Sequence, residues 1–231
     1  MMKDQGQVSG WVERAVVAAF ALAAVLGGLA HAQEFKFSNE EQAENDRANE
    51  ESERRANVEG LLSTPCRDRI KNQKIMVLIG EEQDGLVMAR QAAYGAHVDA
   101  INRRLRWAGL RTYTREEIRR QIAQAEIDAY FKNDPDAAIR ASKRLAAQYI
   151  LRGLISTLTT YNTIVNVNQV SIRMDFVLTG ANGRMISEAN VTNESYAGRD
   201  PLGMALTLIN ERADEVVAQI YSDYCQKAGT K

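Results

Sequence analysis

The stretch SIRMDFVLTGANGRMISE, residues 171–188, decides the fold. Val170, Ile172, Met174, Phe176 and Leu178 alternate with other residues, the period of a strand with one buried face. Asn182-Gly183 is a strong two-residue hairpin signal, because the turns that match strand twist need residues tolerant of positive φ. Counting back from that turn pairs Leu178 with Ser187, Phe176 with Ala189 and Met174 with Val191, a face that is apolar or small. The other face pairs Arg173 with Thr192, Asp175 with Asn190 and Val177 with Glu188, largely polar as a solvated face should be. Turn chemistry and alternation specify one register. A long antiparallel hairpin is therefore predicted, its first strand running from about Ile164 to Leu178.

Upstream, Tyr149 to Thr160 is a further strand, rich in apolar and β-branched residues. Downstream, Asp200-Pro201 opens a helix to about Tyr224, with Leu202, Leu206, Ile209, Ala213, Val216, Val217 and Ile220 on its buried face. Nearer the N-terminus, Lys74 to Gly80 is a short apolar run, read as a buried central strand. The loop from Gly80 to Gly85 follows. Its acidic residues repel phosphate, it lacks phosphate-loop spacing, and Glu81, Glu82 and Asp84 lack the spacing of a calcium-binding EF-hand. A helix is expected over about Ala89 to Ala108, closed by Gly109, and then a short strand from Leu110 to Tyr113. Thr114-Arg-Glu-Glu117 matches a capping box, opening a helix that carries Ile118, Ile122, Ala125, Ile127 and Tyr130. Asp134-Pro135 starts another, with Ala138, Leu145 and Ala146 facing the core. Together these elements predict an α/β (α+β) fold: a single mixed sheet of about five strands with a long antiparallel hairpin, packed by helices.

The chain has 231 residues with a formal net charge of −1, which argues against a nucleic-acid partner. From Ala15 to Ala30 there is no charge, and the run is mostly Ala, Val and Leu. That length suits a signal h-region and falls short of the ~20 apolar residues of a comfortable membrane span. Ala30-His31-Ala32 supplies a small-x-small cleavage site, so residues 1–32 are expected to be a signal peptide cut after Ala32. The alternative is an uncleaved anchor in the inner membrane. After cleavage no transmembrane segment remains, and the product is expected to be soluble in the periplasm. Residues 33–65 follow as a polar, acidic tether, either disordered or a solvated helix, and residues 66–227 as the folded domain. Cys66 and Cys225 bracket that domain; in an oxidising compartment they are expected to form a disulfide, the alternative being two buried thiols.

Two local passages carry a family resemblance. LAAQYILRGLI, residues 145–155, resembles an alanine-rich helix followed by a D-Y-v-l-x-G-x-i strand, with Gln148 where an acidic residue is common. Residues 171–188 resemble the same family's paired strands around a T-G turn. The family is periplasmic and includes the curli-secretion protein CsgG, the penicillin-binding-protein activator LpoB, the flagellar assembly protein FlgT and the N-terminal domain of TolB. The resemblance covers about residues 70–225 and is strongest to the LpoB branch, including a polar tether before a single domain. It implies a non-enzymatic periplasmic interaction module that binds and regulates or assembles a cell-envelope protein complex. The alternative it implies is a structural subunit of an envelope or flagellar assembly, as in FlgT. The chain departs from the lipoprotein branches in having no Cys at the cleavage point, and its hairpin's polar face argues against a CsgG-type pore.

No catalytic, cofactor or metal residues stand out. There is no G-x-S-x-G motif, and His97, the only histidine beyond the signal, has no partner at ligand spacing and is expected on a helix surface. The candidate contacts for an envelope partner are Tyr161, Asn162 and Asn166 in the strand connection, and Tyr196 and Arg199 after the hairpin. For each, the alternative is an ordinary turn residue.

Overall fold

The structure is a computed structural model. It describes residues 40–228 apart from Pro65, Asp84, Val165 and residues 197–199. The signal segment with its cleavage point at Ala32, the start of the tether, and Arg199 lie outside the described residues. Two compact units divide the chain, one up to Arg54 and one from Arg55 onward. Residues 40–62 form a helix, α1.

One mixed sheet organises the second unit, in the order β2-β1-β4-β5-β6 with β3 also on β1. Its strands are β1 (Lys74–Gln83), β2 (Leu86–Met88), β3 (Arg111–Thr112), β4 (Tyr149–Asn162), β5 (Val167–Gly180) and β6 (Met185–Tyr196). The helices after α1 are α2 (Arg67–Ile70), α3 (Gly95–Trp107), α4 (Arg115–Gln121), α5 (Gln124–Phe131), α6 (Pro135–Leu145) and α7 (Pro201–Ala228). β1 runs parallel to β3 and β4, whereas β1–β2, β4–β5 and β5–β6 are antiparallel.

The hairpin register is borne out at all six pairs read from the sequence, from Met174 opposite Val191 to Val177 opposite Glu188. The turn differs from the two-residue expectation. Gly180 N–H donates to the Arg184 carbonyl at 2.9 Å, closing a three-residue loop with Gly183 at φ 80°. Thr179 therefore faces Met185 while Leu178 faces Ser187. A bulge at Ile186 absorbs the odd residue and restores the register, the pattern of a three-residue loop with an αL glycine.

Alternation along the strands produces two cores. On one face Val77, Ile79, Leu151, Ile155, Ile172, Met174 and Phe176 pack against α3 and α7, and Leu62 at the end of α1 joins them. On the other, Met76, Leu78 and Ile150 meet α4, α5 and α6. These three helices leave the hairpin's Arg173, Glu188, Asn190 and Thr192 exposed, as the polar pairing requires. Gly153 sits where the layers are tightest. A Cβ there would lie 2.6 Å from Ile79 Cδ1 and 2.9 Å from Phe176 Cε1. That contact is the physical reason for glycine in the x-G-x-i passage.

A disulfide joins Cys66 to Cys225, with Cα atoms 5.5 Å apart, and ties α2 to the end of α7. Thr114 caps α4 as expected: Glu117 N–H donates to Thr114 Oγ1 at 3.2 Å, and Thr114 N–H to Glu117 Oε2 at 2.7 Å. Asp134 Oδ1 caps α6, accepting from Asp136 N–H at 2.9 Å.

Several local expectations are corrected. The loop after Gly80 is mostly strand, since β1 continues to Gln83 and turns tightly into β2. Residues 89–94 are not helical. The buried Gln91 amide instead completes the free edge of β1, accepting from Ile79 N–H at 3.1 Å and donating to the Ile79 carbonyl at 2.8 Å. The helix after Thr114 breaks at Ile122, which is extended (φ −118°, ψ 125°) and buried, so one amphipathic run becomes α4 and α5. Ala146 does not face the core. It is the exposed left-handed cap of α6 at φ 52°, beyond which Ala147 N–H reaches the Ser142 carbonyl at 2.9 Å, a Schellman-type closure.

His97 is also corrected, from helix surface to interior: it is 4% exposed. Its Nε2 donates to the Leu202 carbonyl at 2.9 Å, pinning α3 to the first turn of α7, while Nδ1 is buried with no hydrogen-bond partner. Burial lowers its pKa from the ordinary histidine value, opposed by the Leu202 bond and by Asp200.

Candidate functional site

Strands β4 and β5 are each fourteen residues long, and the core does not follow them to their ends. Along β4 the alternation of buried residues stops at Ile155; Leu158 to Tyr161 are exposed, whichever face they belong to. On β5 the last buried partner is Val170, opposite Thr159. Alongside and beyond it, β4 is exposed from Leu158 to Tyr161. Leu158 is 64% exposed, Tyr161 58% and Ile164 91%.

The turn at the ribbon's tip is built by its asparagines. Ile164 N–H donates to Asn162 Oδ1 at 3.0 Å, an Asx-type turn. Asn166 is left-handed at φ 58°, and Tyr161 donates its hydroxyl hydrogen to Asn166 Oδ1. Asn162 and Asn166 are thus occupied in holding the turn. Tyr161 presents its ring to solvent.

Tyr196 ends β6 opposite Gln169, which in turn faces Thr160, so its backbone stands at the same end of the sheet. The structure brings these four candidates together at one end, and Arg199 lies outside the described residues. Sequence reading missed Leu158 and Ile164. For Ile164 the available signal was the register itself: with Ile155 opposite Met174, Thr159 already faces Val170 and Ile164 lies beyond it.

Below the ribbon, the open sheet face is closed by charge. Arg173 holds Asp175 with both carboxylate oxygens, at 2.9 Å from Nε, and Ser156 Oγ donates to Glu82 at 3.3 Å. Arg152 lies over the Tyr130 ring, 5.6 Å from its centroid, and donates to Asn133 Oδ1. Among the described residues no group of three or more His, Cys, Asp and Glu is placed to hold a metal. Nor is any described helix long and apolar enough to cross a membrane.

No protein-family model matches the chain. No curated protein matches it either. Among solved structures it is similar to the LpoB C-terminal domain from Salmonella enterica, with 17% identity over 60% of this chain and 96% of that one and a TM-score of 0.31. It is also similar to the lipoprotein GNA1162 from Neisseria meningitidis, with 10% identity over 62% and 99% and a TM-score of 0.41. A third is the hypothetical protein CT253 from Chlamydia trachomatis, with 15% identity over 64% and 98% and a TM-score of 0.44. At these values no family is assigned to the chain.

Proposed function

We propose that this protein is a non-enzymatic interaction module of the cell envelope, exported by its N-terminal signal and soluble in the periplasm after cleavage. It docks a partner protein through the ribbon tip of β4–β5. The observation that carries this reading is the exposure of Leu158, Tyr161 and Ile164 at the end of the β4–β5 pair. Large side chains held in water on an ordered hairpin gain free energy when a partner covers them, at about 25 cal/mol per Å² of apolar surface buried. Sequence resemblance to the LpoB and CsgG family, including a polar tether before a single domain, supports an envelope partner.

The test is a photoactivatable amino acid at Tyr161, crosslinked in intact cells, with the captured protein identified. A discrete envelope protein is expected, and its capture should fall at least fivefold in an Ile164→Ser variant. A cell-wall synthase makes the module a regulator; a basal-body or other assembly component makes it a structural subunit. A protein that stays monomeric and captures nothing refutes the proposal.

A further inference from the structure

Trp107, the last residue of α3, is 69% exposed, and from Gln33 onward it is the only tryptophan of the chain. A tryptophan is seldom left so bare. The turn it opens is held to the start of the domain. Gly109, at φ 103°, donates its N–H to the Arg106 carbonyl at 3.0 Å, and Asn72 N–H donates to the Gly109 carbonyl at 3.0 Å. Lys71 lies beside the turn, its Cα 3.8 Å from where a Cβ on Gly109 would stand. Arg111 follows, opposite Lys74 in the β1–β3 pair, and Arg103 stands one helical turn before Trp107. Lys71, Arg103, Arg106 and Arg111 are all exposed. We propose that this end of the domain binds the surface of a phospholipid bilayer carrying anionic headgroups, with the Trp107 indole entering the interface.

Among the described residues none of these four cations holds a carboxylate. Arg106 donates to Thr112 Oγ1 at 3.2 Å, a neutral partner. Arg104 on the same helix differs, donating to Asp214 at 3.2 Å and to the Asn210 carbonyl at 3.0 Å. Of the acids nearby, Asp214 is thereby engaged, while Glu59 stands at the end of α1 and Asp68 on α2. The net charge of the chain is −1, so an anionic surface attracts this end rather than the molecule as a whole. Screening over about 8 Å at physiological salt keeps distant charges out of that attraction.

Apolar surface adjoins the cations. Trp107 shares with Val58, Leu62 and Val217 an open groove of about 430 Å³ between the end of α1, α3 and α7. Indoles settle at the boundary between headgroups and acyl chains, and arginine and lysine lay their stems on apolar surface while their charges stay in water. A protein partner would have to bring a fixed counter-charge to each of the four cations, and the cores of protein interfaces are depleted in charge. A fluid anionic leaflet moves separate headgroups to each of them, so every Lys or Arg near the surface adds to the attraction.

The test uses protein recovered after export, with the cleavage after Ala32 proposed above, and vesicles of equal parts phosphatidylcholine and phosphatidylglycerol. Pure phosphatidylcholine vesicles are the reference. Co-sedimentation measures binding, and the emission of Trp107, then the sole tryptophan, reports where the indole goes. Binding to the anionic vesicles alone is expected, with blue-shifted emission and a decline as salt rises. Arg106→Gln/Arg111→Gln should weaken it at least about tenfold, and Arg106→Lys/Arg111→Lys should keep it, because a leaflet reads charge rather than the guanidinium fork. Trp107→Ser should weaken it as well. All three sites are exposed, so circular dichroism should show the variants folded. No binding to anionic vesicles, binding with unshifted emission, or an equal loss in Arg90→Gln/Lys132→Gln at the far end of β1 overturns the proposal. So does capture of a discrete protein in cells by a photoactivatable residue at Arg111 without vesicle binding, which makes the surface a protein contact. None of these readouts involves the β4–β5 tip, so docking of a partner there stands or falls separately.

Discussion

Replacing Gly153 by alanine tests the packing argument at its tightest point. The added Cβ would sit 2.6 Å from Ile79 Cδ1 and 2.9 Å from Phe176 Cε1, well inside van der Waals contact. Ile79 and Phe176 are 0% and 1% exposed, so neither has solvent to move into. Overpacking of this kind costs about 1–3 kcal/mol. Restricting the unfolded chain returns about 0.4–1 kcal/mol. The net expectation is a loss of about 1–2 kcal/mol, which for a domain of this size lowers Tm by roughly 2–8 °C. Differential scanning calorimetry and urea titration, both without reductant, measure it. Phe176→Leu should cost stability alone, yet cost less in the Gly153→Ala background, because the smaller side chain relieves the overlap. A Gly153→Ala protein as stable as the parent, or zero coupling in that double-mutant cycle, refutes the reasoning.

Reducing the Cys66–Cys225 bond opens a loop of sequence separation 159, worth about 5 kcal/mol in the chain-entropy treatment, so the urea midpoint should fall sharply in dithiothreitol. His97 makes stability pH-dependent. Its folded pKa lies below the unfolded value, so stability is full above the unfolded pKa near 6.5 and declines as pH falls below it, when the unfolded chain takes up the proton first. Denaturation midpoints at pH 7.5 and 5.5 should differ, and His97→Gln should reduce the difference. Thr114→Ala removes an α4 capping bond and should cost about 1 kcal/mol by the same titration. Ile164→Ser, at a residue 91% exposed, should change stability by less than about 0.5 kcal/mol while weakening partner capture.

The hairpin register was legible from residues 171–188 because period-two alternation and turn chemistry constrain the same pairs, and a slip by one would expose Met174 and Phe176. Capping chemistry at Thr114 and Asp134 was legible for a similar reason: those bonds span two or three residues. Residues 89–94 were not, since Gln91 serves the edge of a strand twelve residues earlier in the chain. Ile122 was hidden too, its helical spacing overridden by burial on the second core. Of the candidate site, sequence supplied the tyrosine and asparagines of the strand connection. That Leu158 is bare depends on where α4, α5 and α6 stop covering the face it shares with Ile150 and Leu154, a long-range packing outcome that no local pattern encodes. A cleft of about 640 Å³ between the start of β4, the β5–β6 turn, α2 and the end of α7 belongs wholly to tertiary structure. Arg69, Arg184 and Lys227 are far apart in the chain, and they share one wall only because the sheet, the turn and the disulfide converge there.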